Sequence, residues 1–148
     1  MELMTALAEI GPSAAAAIPQ ITPYLNSDDP MLRIVATYAL ARFGKAAKST
    51  VPALEKDLAK HHEEENSITL WALSKIDPSP QRAKAAAPAL TSLLTEHPNP
   101  DARLEAAISL GDFGIKTPEI TQALKTAAKD QDPSVQKAAA AALKKLGG

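Results

Sequence analysis

The sequence lacks cysteine altogether and has few aromatic residues. Its 148 residues include no Cys, and one Trp, two Tyr and two Phe make up the whole aromatic set. The absence of cysteine excludes a disulfide framework, thiolate zinc sites and cysteine nucleophiles, but it leaves the cellular compartment open, because such a chain tolerates both oxidising and reducing surroundings. The scarcity of Val, Tyr, Phe and Trp argues against an all-β fold.

Long apolar runs and an excess of one charge are also lacking. The 16 basic and 17 acidic residues are mixed along the chain and give a net charge of −1, which argues against a broad surface for nucleic acid. No window approaches the roughly 20 apolar residues of a membrane span, and no basic segment followed by an apolar run opens the chain. We therefore expect no membrane anchor, no signal peptide and no nucleic-acid partner.

Alanine is what the sequence has in abundance, with 30 residues. Alanine has the highest helix propensity, and its small side chain lets helices approach one another closely. A chain of this length buries roughly 70% of its unfolded surface, which is enough for a core without disulfide or metal staples. The composition therefore predicts closely packed helices.

The sequence repeats with a period of about 33 residues. Pairs of an apolar residue followed by Gly or Asp recur, and their second members are spaced by 33, 33, 37 and 33 residues. These second members are Gly11, Gly44, Asp77, Gly114 and Gly147. Prolines in Asp-Pro or Asn-Pro turns keep the same phase, at Pro30, Pro100 and Pro133. A second proline column comprises Pro19, Pro52 and, displaced by one residue, Pro88. Such regularity is typical of helical repeat arrays.

Each repeat is predicted to hold two helices. The second helix begins at the Asx-Pro turn, where Asp or Asn caps it and Pro occupies its first turn, and it ends at the glycine. Second helices are predicted over Met1–Ile10, Pro30–Phe43, Glu63–Ile76, Pro100–Phe113 and Pro133–Leu146. First helices are predicted over Ser13–Leu25, Ser49–Lys60, Gln81–Thr95 and Pro118–Lys129.

These repeats predict an all-α fold, a right-handed α-solenoid of stacked helix pairs with four full units and one half unit. One repeat cannot bury both of its helices alone, whereas stacked neighbours share a continuous core. We expect a single domain over residues 1–148, with units at 1–11, 12–44, 45–77, 78–114 and 115–147. The start within a repeat leads us to expect a module of a longer chain.

Several short motifs carry a resemblance to a known family. They are Val51-Pro52-Ala53-Leu54, Asp29-Pro30, Leu32-Arg33, Ala39-Leu40 and Phe43-Gly44. They resemble the HEAT-like repeats of the short phycobilisome-lyase type. The resemblance covers the whole chain and implies one of three roles, a protein-binding scaffold, an accessory domain of a larger enzyme, or a bilin-lyase-type subunit that binds a chromophore.

No set of residues in the sequence forms a catalytic constellation. Asp112-Phe113-Gly114 spells the magnesium-binding motif of kinases, but the chain has neither a glycine-rich phosphate loop nor a His-Arg-Asp catalytic loop. The cluster His61–Glu65 has no counterpart in the other repeats, and we interpret it as charges that suit the ends of two helices. We therefore expect a protein that is not an enzyme and that holds no metal or cofactor.

The second helices are expected to line the concave face of the solenoid. At aligned positions that the core does not need, the chain has apolar and aromatic residues rimmed by charge, as partner-binding surfaces do. The predicted partner-binding residues are Ile34, Tyr38, Arg42, Trp71, Lys75, Leu104 and Ile108. The partner is expected to be a protein or an adjacent domain of the same chain.

Two other interpretations concern this surface. Tyr38 and Trp71 are equally compatible with packing on each other between neighbouring repeats, so an exposed Trp71 ring favours partner binding and a buried one argues against it. In the chromophore-binding alternative, Trp71 and basic residues of the groove stack on or pair with a linear tetrapyrrole. Those basic residues are Arg42, Lys75 and Arg103.

Arg33 and Arg103 occupy one position of the repeat, three residues after the turn proline. Acidic residues lie near the same turns, at Asp28, Asp29 and Asp101. The resemblance to HEAT-like repeats implies that these arginines bond carboxylates or turn carbonyls between adjacent repeats, with anion binding as the alternative.

Overall fold

The computed structural model describes residues 2–58 and 63–147, with side chains for all of these except residues 63–66. The described residues form α-helices and 3₁₀-helices joined by short turns, and they contain no strand. The fold class is all-α, as the composition and the repeats predict. Contacts between α-carbons divide the chain into two compact units, Met1–Arg82 and Ala83–Gly148.

The described residues contain nine α-helices. In chain order they are α1 (Glu2–Ile10), α2 (Ile18–Ile21), α3 (Pro30–Phe43), α4 (Val51–Leu58), α5 (Glu63–Ile76), α6 (Pro80–Glu96), α7 (Pro100–Phe113), α8 (Pro118–Ala127) and α9 (Pro133–Lys145). Three 3₁₀-helices accompany them, at Gly11–Ala17, Thr22–Asn26 and Gly44–Thr50.

The first unit stacks its second helices side by side. Helix α1 packs on α3 and α3 packs on α5, while α4 and the 3₁₀-helices contribute the other layer. Between the layers lies a fully buried core that includes Leu40, Phe43, Leu54 and Ile76. This is the helix stacking expected of an α-solenoid, in which each repeat completes the core of its neighbour.

The second unit is held together by a close approach of α7 to α9, with α8 packed on α9. A Cβ atom added to Gly111 in α7 would lie 2.8 Å from the Cβ and 2.9 Å from the Cα of Ala142 in α9. Only glycine therefore allows the two helix backbones to come this near. Helix α6 begins in the first unit and continues into the second, and it buries Leu90 and Leu94.

The second helices begin and end where the sequence predicts. Side chains of Asp29, Asn99 and Asp132 accept hydrogen bonds of 2.8 to 2.9 Å from backbone N–H groups two residues further on. Gly44 and Gly114 follow two of the helices at φ angles of 57° and 66°, a region that side chains with a Cβ rarely adopt. The bounds of α3, α5 and α7 match the predicted ones, and α9 ends one residue earlier, at Lys145.

The prediction of a continuous first helix over Ser13–Leu25 is wrong. This segment consists of two 3₁₀-helices with the four-residue helix α2 between them. Each of the three pieces has a proline at its first or second position, and proline removes the N–H that a continuous α-helix needs. The first helix predicted over Ser49–Lys60 is likewise preceded by a 3₁₀-helix and begins at Val51.

The turn after α5 differs from the other repeat ends because Asp77 replaces the glycine. No described residue other than glycine has a positive φ angle, so Asp77 does not adopt the left-handed conformation. Its carboxylate instead pairs with Lys48 Nζ at 3.3 Å and lies 3.5 Å from Arg82 Nε. Arg82 Nη2 also contacts Glu55 Oε1 at 2.8 Å, so charged side chains fix this turn within the first unit.

Candidate functional site

Tyr38 and Trp71 form an aromatic stack in the first unit. Their ring centroids are 5.6 Å apart and their planes differ by 18°. Trp71 is 4% exposed, whereas Tyr38 is half-buried. The expectation that Trp71 is an exposed partner anchor is therefore wrong, because its large ring gains more by packing between α3 and α5 than by facing water.

The other predicted residues of the first unit lie one helical turn from the two stacked residues along α3 and α5. Ile34 and Arg42 lie one helical turn on either side of Tyr38, with Ile34 half-buried and Arg42 exposed. Arg42 Nε donates a hydrogen bond of 3.4 Å to the carbonyl oxygen of Ala8 near the end of α1. Lys75 lies one turn after Trp71 on α5 and is partly exposed. Tyr38 is thus a half-buried ring stacked on Trp71, with Arg42 one turn further along its own helix.

The second unit contains the two remaining predicted residues, both on α7. Leu104 is half-buried and Ile108, one turn later, is 36% exposed. One further turn along α7, Asp112 Oδ1 contacts Lys145 Nζ of α9 at 2.6 Å. Along α7, the apolar pair Leu104 and Ile108 is therefore followed one turn later by the ion pair between Asp112 and Lys145.

Arg103 bonds a carboxylate of the following repeat, as predicted, whereas the hydrogen bond from Arg33 Nη1 to Ser27 lies within its own turn. Arg103 Nε and Nη2 contact the two carboxylate oxygens of Asp130 at 2.8 and 2.9 Å, and Nη1 donates to the carbonyl oxygen of His97 at 2.8 Å. Arg33 Nη1 donates to the carbonyl oxygen of Ser27, also at 2.8 Å. Each arginine thus closes its own turn, and Arg103 also reaches the following turn.

In the last repeat Gln136 closes its turn as Arg33 and Arg103 close theirs, and this role was not predicted from the sequence. Gln136 Nε2 donates to the carbonyl oxygen of Asp130 at 2.6 Å. In all three repeats the donor lies three residues after the turn proline and the acceptor lies six residues before the donor. The aligned position was the available signal, because a glutamine amide can donate a hydrogen bond as a guanidinium does.

The pair of Arg103 and Asp130 is largely removed from solvent, with side chains 16% and 12% exposed. The hydrogen bond from Arg103 holds the pKa of the Asp130 carboxyl below its ordinary value, and this effect outweighs the opposing one of burial. The same hydrogen bond raises the pKa of Arg103. Both groups are therefore charged and bonded to each other, which leaves Arg103 engaged within the fold.

These positions also correct the chromophore-binding interpretation. Trp71 was expected to stack on a tetrapyrrole, and Arg103 was expected to pair with its propionates. The structure buries Trp71 under Tyr38 and bonds Arg103 to Asp130 and to turn carbonyls. Neither side chain is placed for the role that this interpretation gave it.

Metal ligands and membrane-spanning helices can be assessed for the described part of the chain. Within it, no group of three or more His, Asp or Glu side chains is placed to hold a metal ion. The candidate cluster His61–Glu65 lies outside the described side chains. None of the helices in the described ranges is both long enough and apolar enough to cross a membrane.

Comparison with known proteins agrees with the helical repeat fold. A family model described as HEAT repeats matches residues 87–148. Among solved structures, the chain is similar to the crystal structure of an engineered protein studied by the Northeast Structural Genomics Consortium. The two are 24% identical, the match covers 97% of this chain and 71% of that chain, and the TM-score is 0.61. None of the curated proteins matches the chain.

The family match and the fold lead to the same conclusion. HEAT repeats generally mediate protein–protein interaction. The Asx-capped second helices, the glycine stops and the stacked helix layers of both units have the form that such repeats require. Residues 87–148 match the model of HEAT repeats, and the whole chain has the fold of a helical repeat protein.

Proposed function

We propose that the chain is a non-catalytic scaffold that binds a partner protein through its second helices, on the face predicted to be concave. Two patches are proposed, one in each unit, and each is a site by itself. The α3–α5 patch comprises Ile34, Tyr38, Arg42 and Lys75. The α7 patch comprises Leu104 and Ile108.

The observation that carries the proposal is the half-exposed ring of Tyr38 lying on the buried ring of Trp71. An aromatic side chain held in one orientation loses little conformational freedom when a partner binds, and it offers both an apolar face and a hydroxyl group. Trp71 itself does not contact the partner in this proposal; it supports the ring of Tyr38. Arg42 and Lys75 add positive charge at the rim, which suits an acidic or carbonyl-rich partner surface.

The α7 patch supplies a smaller apolar contact. Ile108 is 36% exposed, and Leu104 extends the same side of α7 by one turn. Such a pair matches the size of an anchor that inserts into a pocket of a partner. Because the two patches belong to different units, each is tested by its own variant.

The test is quantitative capture of partners by the immobilised chain from extracts of cells that express it. We expect the variants Arg42→Glu and Ile108→Asp each to lower recovery of a wild-type partner at least tenfold, because both side chains are exposed and lie outside the buried core. Arg42→Glu also removes the hydrogen bond that Arg42 donates to the carbonyl oxygen of Ala8. Lys125→Glu is the matched control, since Lys125 is exposed on α8 in the other helix layer. Circular dichroism verifies that all variants keep wild-type helicity.

Equal recovery of the same partners by all three variants contradicts both patches. Loss in one variant alone assigns binding to the patch of that unit. Loss in the Lys125→Glu control together with retention in the other two moves the binding surface to the layer of α8.

A further inference from the structure

Three turns of the described chain are closed by the same arrangement of hydrogen bonds. In each turn, the side chain of the residue three positions before the proline accepts a hydrogen bond from the backbone N–H two residues further on. The accepting residues are Ser27, His97 and Asp130, at distances of 3.2, 3.1 and 2.9 Å. The backbone carbonyl oxygen of the same residue accepts a second bond, from the side chain three residues after the proline. One residue therefore holds each turn at two points.

The turn between α6 and α7 differs from the other two in the chemistry of its acceptor. A serine hydroxyl oxygen accepts a hydrogen bond at any pH, and the Asp130 carboxyl, whose pKa is lowered by Arg103, is ionised throughout the range in which histidine titrates. An imidazole nitrogen accepts only while the ring is neutral, because the protonated ring carries an N–H on both nitrogens. His97 accepts through Nδ1, so this turn depends on a protonation step that histidine undergoes between pH 5 and 8.

The hydrogen bond to His97 also restrains the start of α7. Its donor is the backbone N–H of Asn99, and Asn99 is the residue that caps α7, since its Oδ1 accepts from the N–H of Asp101 at 2.9 Å. A protonated Nδ1 would point its own N–H at the N–H of Asn99. The two donors repel each other, so the ring has to turn away and the cap residue loses this restraint.

The charged groups on the surrounding elements permit this protonation. They are Glu96 at the end of α6, Asp101 and Arg103 at the start of α7, and Lys129, Asp130 and Asp132 in the turn between α8 and α9. Arg103 Nη1 contacts the carbonyl oxygen of His97 at 2.8 Å, but the charge of Arg103 is balanced by its ion pair with Asp130. His97 also follows the carboxyl end of α6, where the helix dipole favours a positive charge. An imidazolium that has turned away from Asn99 is therefore well accommodated.

We propose that the turn between α6 and α7 is a pH-sensitive switch that protonation of His97 opens. Above the range in which histidine titrates, Nδ1 accepts from Asn99 and the turn is closed. As the pH falls through that range, Nδ1 takes up a proton from solvent, the ring turns away, and water accepts the hydrogen bond from Asn99. The turns at Ser27 and Asp130 stay closed over the same range. The switch does not depend on the α3–α5 patch or the α7 patch.

The test is NMR spectroscopy of the isotope-labelled full chain between pH 8 and pH 5. We expect the protection of the Asn99 amide against hydrogen exchange, corrected for the intrinsic effect of pH, to fall about fivefold, the factor that one hydrogen bond typically contributes. The midpoint is expected to coincide with that of the His97 ring resonances. The Asp29 amide, which donates to Ser27, is the internal control and is expected to keep its protection.

Two substitutions of His97 supply the matched variants. His97→Ser gives this turn the acceptor of the Ser27 turn, and His97→Asn supplies an amide oxygen that also accepts at every pH. Both variants are expected to keep the protection of the Asn99 amide constant from pH 8 to pH 5. The other two histidines of the chain, His61 and His62, remain in these variants. The His61→Gln/His62→Gln variant retains His97 and is expected to respond as the wild type does.

Three results overturn the proposal. One is a constant protection of the Asn99 amide while the His97 ring titrates. Another is a pH dependence that both His97 variants retain, because a different group then causes it. The third is a loss of protection confined to pH values below the ordinary Asp value of about 3.9, which assigns the effect to Asp130. None of these results bears on the capture experiment with Arg42 and Ile108, so the two proposals fail separately.

Discussion

The guanidinium group of Arg103 meets the carboxylate of Asp130 through two parallel hydrogen bonds of 2.8 and 2.9 Å. Arg103 lies in the first turn of α7, and Asp130 lies 27 positions later in the turn between α8 and α9. A pair in this geometry is more specific than a single contact between flexible charged side chains, because both donors and both acceptors are fixed. The pair therefore holds one turn of the second unit against the next.

Arg103→Ala is expected to lower the thermal midpoint, and Asp130→Ala is expected to do the same. Each change leaves a partner without its bond, so the double variant is expected to lose less than the sum of the two single losses. Arg103→Lys is expected to recover only part of the loss, since lysine cannot form the two parallel bonds. Thermal melts of the four chains measure this coupling, and strict additivity would contradict the pairing.

The same pair predicts how stability depends on pH. Because the pKa of Asp130 is lower in the folded chain than in the unfolded one, the unfolded state binds more protons as the pH falls below the ordinary Asp value of about 3.9. The contribution of the pair is therefore fully present above that value and is lost as the pH falls through the folded pKa. Urea titrations between pH 2 and 7 measure it, and Asp130→Asn is expected to flatten this part of the curve.

Trp71→Ala is expected to destabilise the fold by about 3 to 5 kcal/mol, the usual cost of removing a large buried aromatic side chain. Tyr38→Ala is expected to cost less, because Tyr38 is already half-exposed. Chemical denaturation measures both losses. A Trp71→Ala chain as stable as the wild type would contradict the burial of this ring.

Gly111→Ala is expected to destabilise the second unit. On an exposed helix this change gains up to about 1 kcal/mol in helix propensity. Here the new Cβ lies 2.8 Å from Ala142 Cβ, and overpacking costs about 1 to 3 kcal/mol. Ala142→Gly in the same chain is expected to restore part of the loss, which denaturation of the single and double variants determines. A stabilised Gly111→Ala chain would show that α7 and α9 are further apart.

Sequence reasoning predicted the second helices well because their ends are chemically marked. Asp29 and Asn99 supply caps, prolines fit the first turn and Gly44 and Gly114 provide the stop. The three pieces of the segment Gly11–Asn26 have no side-chain caps, although each has a proline in its first turn. Its alanines favour a helix while its prolines interrupt the hydrogen bonds of one, and the outcome depends on packing that a sequence pattern does not contain.

The candidate site was predictable in position but not in exposure. Periodicity places Tyr38 and Trp71 at aligned positions of neighbouring second helices, and the structure brings the two rings together. Which ring is covered depends on the distance and tilt between α3 and α5, and no residue count supplies those. The sequence likewise does not show whether a lysine such as Lys145 is free or paired, because its ion pair with Asp112 depends on how far the side chain reaches.

The bonds that Arg33, Arg103 and Gln136 make to carbonyl groups have a consequence for folding kinetics. Donor and acceptor are six residues apart in every case, so each of these turns can close before any distant part of the chain has been found. Proteins dominated by such local contacts fold quickly, on the microsecond to millisecond scale. Each capped turn is therefore expected to act as an early starting point from which the neighbouring helices are added.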